Sequence, residues 1–238
     1  MIKLIATDMD GTLLNAAHEI SEENINAIKY AQSKGITVVI ATGRAFYEAS
    51  TPMAETDLKV PYICLNGAEV RDESFNIMNT SHLNHELVER IKAILDREDV
   101  YYQVYTNRGI YTEDPTRDLD IYLDIARNAG QQGDVEKIKA GIQKRIDNGT
   151  LKIVDNYKDI EDIPGSEMCI RDRLRIDLQD VMALGDNLND VSMLERVGYP
   201  VAMDNAMPEV KAIAKLVTDT NEHIGVGKAI MKVLTEEK

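Results

Sequence analysis

The sequence predicts an α/β chain built on a parallel sheet, with a second α/β unit inserted into it. Three apolar, strand-like runs, at Ile2–Ala6, Thr37–Ala41 and Val181–Leu184, each end abruptly in a short polar loop. A helix-spaced stretch joins the first two runs as a βαβ unit. Between the second run and the third, the pattern changes to hairpin-like pairs and charged helices, which marks the insert.

Taken in order, the first run opens onto Thr7, Asp8, Met9, Asp10, Gly11 and Thr12. Side chains alternate along extended backbone, so Asp8 and Asp10 project to one side just beyond the strand, where an open parallel sheet places its ligands. Two clustered acids call for a cation, and hard oxygen donors suit Mg²⁺, which commonly bridges a carboxylate to a substrate phosphate. With the metal screening its charge, one aspartate could attack phosphorus. An isolated D-x-D more often solvates a turn, and it takes the two later strand ends to shift that balance. Ser21 predicts a helix cap and Gly35 a stop, with a helix through about Ser33 whose Ile25, Ile28 and Ala31 face the sheet. The second run, TVVIATGR, ends in Thr42, whose hydroxyl could donate to a phosphoryl oxygen. Gly43 permits close backbone approach, and Arg44 could hold an anionic group. A second helix follows. A short strand from Tyr62 to Leu65 then leads to Asn66 and Gly67, another polar loop on the same edge.

From about residue 68 the sequence pairs AEVRD with FNIMN and VYYQVYT with GIYTE. Helices are predicted over Asn84–Arg97, Pro115–Gln131 and Val135–Asp147. Tyr101, Tyr102, Tyr105, Tyr111 and Tyr122 read as core and half-exposed positions of this unit. The third run ends at Gly185 and Asp186, with Asn187, Asn189 and Asp190 at the start of a following helix, whose N-terminus suits phosphate while Asp186 suits metal.

These residues resemble the haloacid dehalogenase-like hydrolases, specifically the Cof-type phosphatases. DMDGTLL at Asp8–Leu14, ATGR at Ala41–Arg44 and GDNLND at Gly185–Asp190 are similar to the family's first, second and fourth motifs. LNGA at Leu65–Ala68, VAMDNAMPEVKAIA at Val201–Ala214 and the tail DTNEHIGVGKAI agree with the subfamily. The resemblance implies a three-layer, Rossmann-like parallel sheet core over residues 1–80 and 174–238, with an α/β cap, here truncated, over 81–165. It implies Mg²⁺-dependent hydrolysis of small phosphate monoesters, sugar phosphates foremost, through an aspartyl-phosphate. Asp8 would be nucleophile and metal ligand. Asp10 would be the general acid and base and would offer its backbone carbonyl to the metal. Thr42, Gly43, Arg44, Asn66, Gly67 and Asn189 would bind phosphate and substrate. Asp186 would complete the metal site, with Asp190 behind it orienting metal waters.

The chain has 238 residues, 27 lysines and arginines against 41 acids, and a net charge of −14, which disfavours nucleic acid or an anionic membrane as partner. No apolar run reaches the roughly 18 residues of a membrane helix, and the expectation is a cytoplasmic protein acting on a small-molecule phosphate ester. Cys64 and Cys169 read as reduced bystanders. His82 and His85 have helix-face spacing but a loop-and-cap context that argues against zinc. His18 and His223 fall in polar turns.

One stretch breaks the pattern. PGSEMCIRDRLR, Pro164–Arg175, leaves too little chain for the crossover a parallel strand needs before Val181. The resemblance places a charge-balancing lysine, its third motif, on that crossover, yet no lysine occurs between Lys158 and Lys211. SEMCIRDR, residues 166–173, resembles translated sequencing-adaptor DNA. The expectation is a lost piece of cap and one lost core helix, with an apolar sheet face left uncovered. Arg171, Arg173 and Arg175 are poor substitutes for the ammonium. Two alternative readings follow: an impaired remnant of such a phosphatase, or a phosphate-sensing module.

Overall fold

In the computed structural model, all four residues of β1 (Leu4–Thr7) are buried, as an unalternating apolar strand in the middle of a parallel sheet requires. The structure describes residues 1–81, 83, 85–106, 109–128, 135–155 and 176–236. They fall into two compact units, Met1–Ser81 with Gly165–Lys238, and His82–Pro164.

Among the described residues, the first unit carries an eight-stranded sheet in the order β11-β10-β9-β1-β2-β3-β4-β5. Its strands are β1, β2 (Thr37–Ala41), β3 (Tyr62–Cys64), β4 (Glu69–Arg71), β5 (Ile77–Thr80), β9 (Val181–Gly185), β10 (Tyr199–Ala202) and β11 (Leu216–Val217). From β11 to β3 every pairing is parallel, and β4 and β5 add an antiparallel edge. The first predicted hairpin therefore extends the main sheet. Asp72 Oδ1 fastens its turn by accepting from Ser74 N and Asn76 N, both at 2.9 Å.

The chain grows outward from β1 to β2 and β3, then returns to place β9 on the other side of β1. That reversal is the topological switch point of an open α/β sheet, the place where loops from neighbouring strands diverge and leave a crevice. Every residue of β9 is buried, as in β1, so the expected uncovered sheet face is not seen at these two strands.

Helix α1 (Glu22–Ser33) starts at Ser21, whose Oγ accepts from Asn24 N at 3.3 Å, and gives way at Gly35, where φ is +78°. Its buried residues are Asn24, Ala27, Ile28 and Ala31, while predicted Ile25 is only partly covered. Asn24 is buried because its Oδ1 accepts from Gly227 N at 2.8 Å, tying α1 to the C-terminal helix Gly225–Glu236. Helix α2 is Phe46–Met53. Leu13 and Leu14, the apolar tail of DMDGTLL, are fully buried. Each such side chain contributes about 1.5–3 kcal/mol, and together they pin the loop that follows β1.

The second unit contains β6 (Val104–Thr106) antiparallel to β7 (Gly109–Thr112), and β8 (Leu151–Ile153) parallel to β7. Its helices are α3 (His85–Arg97), α4 (Pro115–Asn128) and α5 (Val135–Asp147). Ile110, Ile142 and Leu151 are buried within it. The Tyr101 hydroxyl lies 2.9 Å from Thr112 Oγ1 and donates to buried Asp118 at 3.1 Å, whereas Tyr105 is exposed. Cys64 is buried, and burial pushes its thiol up to about 12, so it is inert as a nucleophile. His82, Cys169, the junction at 166–173 and Arg171, Arg173 and Arg175 lie outside the described residues, as do the side chains of His85 and Tyr122. Among the described residues, no helix is long and apolar enough to cross a membrane.

Candidate active site

Four loops leave the carboxyl ends of adjacent strands: residues 8–14 after β1, 42–44 after β2, 65–67 after β3 and 186–190 after β9. Parallel pairing of β1 with both β2 and β9 fixes where the loops start. Asp8 N donates to Leu184 O at 3.0 Å, and Thr42 N to Ile63 O at 2.9 Å, which extends the sheet one residue into each loop.

Carboxylate oxygens of Asp8, Asp186 and Asp190 all lie within 4.8 Å of one another. Asp8 is 5% exposed and Asp190 3%. Burial, then the Asp190 charge, raises the Asp8 carboxyl well above the usual range. Burial likewise lifts Asp186 to about 6, helped by the charges of Asp190 and Asp10 and opposed by a hydrogen bond from Thr12. Asp190 is also raised by burial, although Asp186 N and Asn187 N donate to its Oδ2 at 2.9 and 3.0 Å. Crowded, desolvated like charges of this kind are stabilised by a hard cation with oxygen ligands, so the donor set fits a divalent metal.

Two glycines make the convergence possible. Gly11 has φ +76°, and a Cβ there would run into the Asp186 carboxylate. At Gly185 a Cβ would come within 2.6 Å of the Asp190 side chain. Thr12 closes the arrangement by donating from Oγ1 to Asp186 Oδ1 at 2.7 Å.

The carboxylate of Asp10 stays outside this cluster. It is 49% exposed and paired with Arg44 through Nε to Oδ2 at 2.6 Å and Nη2 to Oδ1 at 2.5 Å, with His18 Nδ1 3.3 Å from Nη2. The guanidinium fork matches a carboxylate edge to edge, which accounts for the orientation. Arg44, read from sequence as an anion holder, is thus engaged by a protein acid. Asp190, read as lying behind the metal ligands, brings its carboxylate into their group, because a single 3₁₀ turn, Leu188–Asp190, folds it back over Gly185.

Buried Thr42 accepts from Arg44 N at 3.2 Å through its hydroxyl, and its carbonyl accepts from Asn66 N, also at 3.2 Å. The Asn66 side chain lies against Gly43, where a Cβ would approach Oδ1 to 3.3 Å. Asn66 and Gly67 take positive φ, 53° and 102°, so the third loop doubles back toward the second. Asn189 Nδ2 approaches Asp190 Oδ1 at 3.4 Å. The helix expected to start here is the four-residue Val191–Leu194, too short to present an anion-binding N-terminus. Thr12 and His18 carry contacts that no reading of the sequence assigned to them, and Thr12 stood in plain sight within DMDGTLL.

A family model for haloacid dehalogenase-like hydrolases matches residues 5–168 and 165–230. Phosphatase YwpJ of Bacillus subtilis (strain 168) is 30% identical over 285 aligned positions, covering 98% of this chain and 100% of that protein. The 5-amino-6-(5-phospho-D-ribitylamino)uracil phosphatase YcsE of the same organism is 33% identical over 236 positions, covering 96% and 94%. A solved haloacid dehalogenase-like hydrolase from B. subtilis is similar at TM-score 0.83 and 29% identity, covering 97% of this chain and 99% of that one. Two matched stretches that span nearly all of the sequence, together with carboxylates gathered at the switch point, make this chain a member of the haloacid dehalogenase-like hydrolases and, within them, of the Cof-type phosphatases, which are phosphoric monoester hydrolases.

Proposed function

We propose that the chain hydrolyses small phosphate monoesters, sugar phosphates foremost, with Mg²⁺ as its metal and Asp8 as its nucleophile. The observation that supports this most is the carboxylate group Asp8, Asp186 and Asp190 beside an Asp10 held in place by Arg44. Asp8, Asp186 and Asp190, with the Asp10 backbone carbonyl, would hold the ion, which when bound supplies positive charge against the phosphoryl oxygens. Asp8 attacks phosphorus in line, forming an Oδ–P bond as the ester P–O bond breaks, and Asp10 delivers a proton to the departing alkoxide. Asp10 then takes a proton from a water that attacks the same phosphorus, and Asp8 leaves as a free carboxylate. The Thr42 hydroxyl, the Asn66 and Asn189 amides and the backbone at Gly43 and Gly67 position the phosphoryl group, since this chemistry chiefly needs placement and charge stabilisation. Residues 81–165 serve as the cap and select the leaving group. The phosphoribityl group in the name of YcsE's substrate is a monoester of the same broad class.

A second reading has its own observation. The two stretches of the family match meet at residues 165–168, inside the atypical string, and the alignment with YwpJ is several dozen positions longer than this chain. The lysine implied by the family is missing there, and Arg44 is engaged by Asp10. Such a chain binds metal and ester but turns over slowly. At 4 Å each uncompensated pair of like charges costs about 4 kcal/mol at an effective dielectric near 20.

The test is a Mg²⁺-dependent assay on p-nitrophenyl phosphate and a panel of sugar and sugar-alcohol phosphates, with Asp8→Asn alongside. Turnover lost in the variant supports the phosphatase. A stable phosphoprotein supports a sensing module. No reaction, cured by restoring a family-length crossover with its lysine, supports the remnant.

A further inference from the structure

Asp186 belongs to a closed ring of hydrogen bonds that the roles above do not use. Thr12 Oγ1 holds its carboxylate at 2.7 Å. One residue back, the Gly11 carbonyl accepts from Asn205 Nδ2 at 2.7 Å. Two residues beyond Asn205, Met207 N donates to the Asp186 carbonyl at 2.9 Å and completes the circuit. Asn205 is itself oriented, because its Oδ1 accepts from Asn221 N at 3.1 Å while the Asn221 amide donates to Leu14 O at 2.9 Å. Two neutral amides therefore hold the first and last carbonyls of the Gly11–Leu14 turn.

Strand pairing fixes where the 8–14 and 186–190 loops begin, but not how far apart they stand at Gly11, whose backbone is left-handed and lacks a Cβ to brace it. Three carboxylates within 4.8 Å repel one another and push these loops apart whenever no cation lies between them. An amide is suited to oppose that push, since it donates and accepts at once and adds no charge to the ligand group.

We infer that Asn205 is a positioning residue for metal binding: by holding the Gly11 carbonyl, it sets the spacing of the Asp8 loop from Asp186. The inference rests on the metal site proposed above.

Titration calorimetry of MgCl₂ into the full chain tests it, with the metal-free melting temperature measured in parallel. Asn205→Asp keeps the acceptor toward Asn221 N and loses the donor toward Gly11; Asn205→Ala loses both. Groups that orient metal ligands typically contribute about 10–100-fold to affinity, and the expected result is a rise of about tenfold in the Mg²⁺ Kd for both variants, with metal-free melting within a few degrees of wild type. Asn221→Asp, which loses the amide's donations to Leu14 O and to Glu222 Oε1 and keeps the Asn205 contact through its backbone N, gives a smaller rise and serves if an Asn205 variant fails to fold. A folded Asn205 variant with unchanged Kd overturns the inference while leaving the metal site standing. A wild-type chain that takes up no Mg²⁺ overturns the metal site, and the inference with it.

Discussion

Arg44 grips Asp10 through the Nε–Nη2 edge of its guanidinium, at 2.6 and 2.5 Å, so the arginine of the second loop spends that fork on the acid of the first. In the mechanism proposed above, this pairing leaves Arg44 to orient Asp10 while other groups meet the phosphate. Arg44→Lys keeps a positive charge and loses the fork. Its kcat is expected to fall tenfold or more, out of the about 10²–10⁴-fold that acid–base catalysis supplies, with KM little changed. Steady-state kinetics on p-nitrophenyl phosphate decide the point, for a raised KM at constant kcat would make Arg44 a substrate anchor.

Asp8→Asn separates catalysis from stability. Removing the proposed nucleophile is expected to lower turnover by about 10⁴-fold or more. The same change also removes a carboxylate that burial and Asp190 hold far from its comfortable protonation state. The metal-free variant should therefore melt higher than wild type at neutral pH, by about 2–4 °C for each kcal/mol of relief. Calorimetry without metal that shows an unchanged or lower melting temperature would contradict the strained-cluster picture.

A pH dependence follows from Asp186, raised by burial from 3.8 to about 6. An acid raised on folding keeps its proton longer in the folded state, so between about pH 4 and 6 the folded chain binds more protons than the unfolded one, and stability falls as pH climbs through that window. Metal competes with those protons. The melting-temperature gain from a fixed Mg²⁺ concentration should therefore be small near pH 5 and grow above about pH 6. Asp186→Asn should flatten both trends, and a Mg²⁺ gain independent of pH would count against Asp186 as a ligand.

The strand ends that build the site were legible because their signals are local: Leu4–Thr7, Thr37–Ala41 and Val181–Gly185 are apolar runs cut off by polar loops, and a parallel sheet brings such ends together. Helix α1 was legible for the same reason, from Ser21 and Gly35. What Arg44 would touch was not legible, since its partner lies on another loop and is selected by side-chain geometry across a strand pair. How close the Asp190 carboxylate comes to Asp8 and Asp186 was not legible, because the start of a helix expected there is a 3₁₀ turn followed by four helical residues. Asn205 and Asn221 look like ordinary turn residues, and only the fold reveals that their amides meet the backbone carbonyls of Gly11 and Leu14. Ile25 shows the limit of periodicity, since buried Asn24 takes the covered position by answering Gly227.

Gly11→Ala tests the site where backbone and chemistry meet. The residue has φ +76°, and its missing side chain leaves the space that the Asp186 carboxylate fills. Alanine must hold a left-handed backbone, at a cost of about 1–3 kcal/mol, and must also displace Asp186 or move the loop. Either relaxation loosens the hydrogen bond from Thr12 and spreads the carboxylates. Denaturant unfolding should show the loss of stability, and Mg²⁺ titration should show weakened binding in the fraction that folds. Gly35→Ala provides the comparison, because Gly35 has a similar φ of +78° and open space around it. It should show the backbone penalty alone, with metal affinity intact. Equal losses of Mg²⁺ affinity in the two variants would mean that Gly11 matters only as a turn, and that Asp186 does not depend on its close approach.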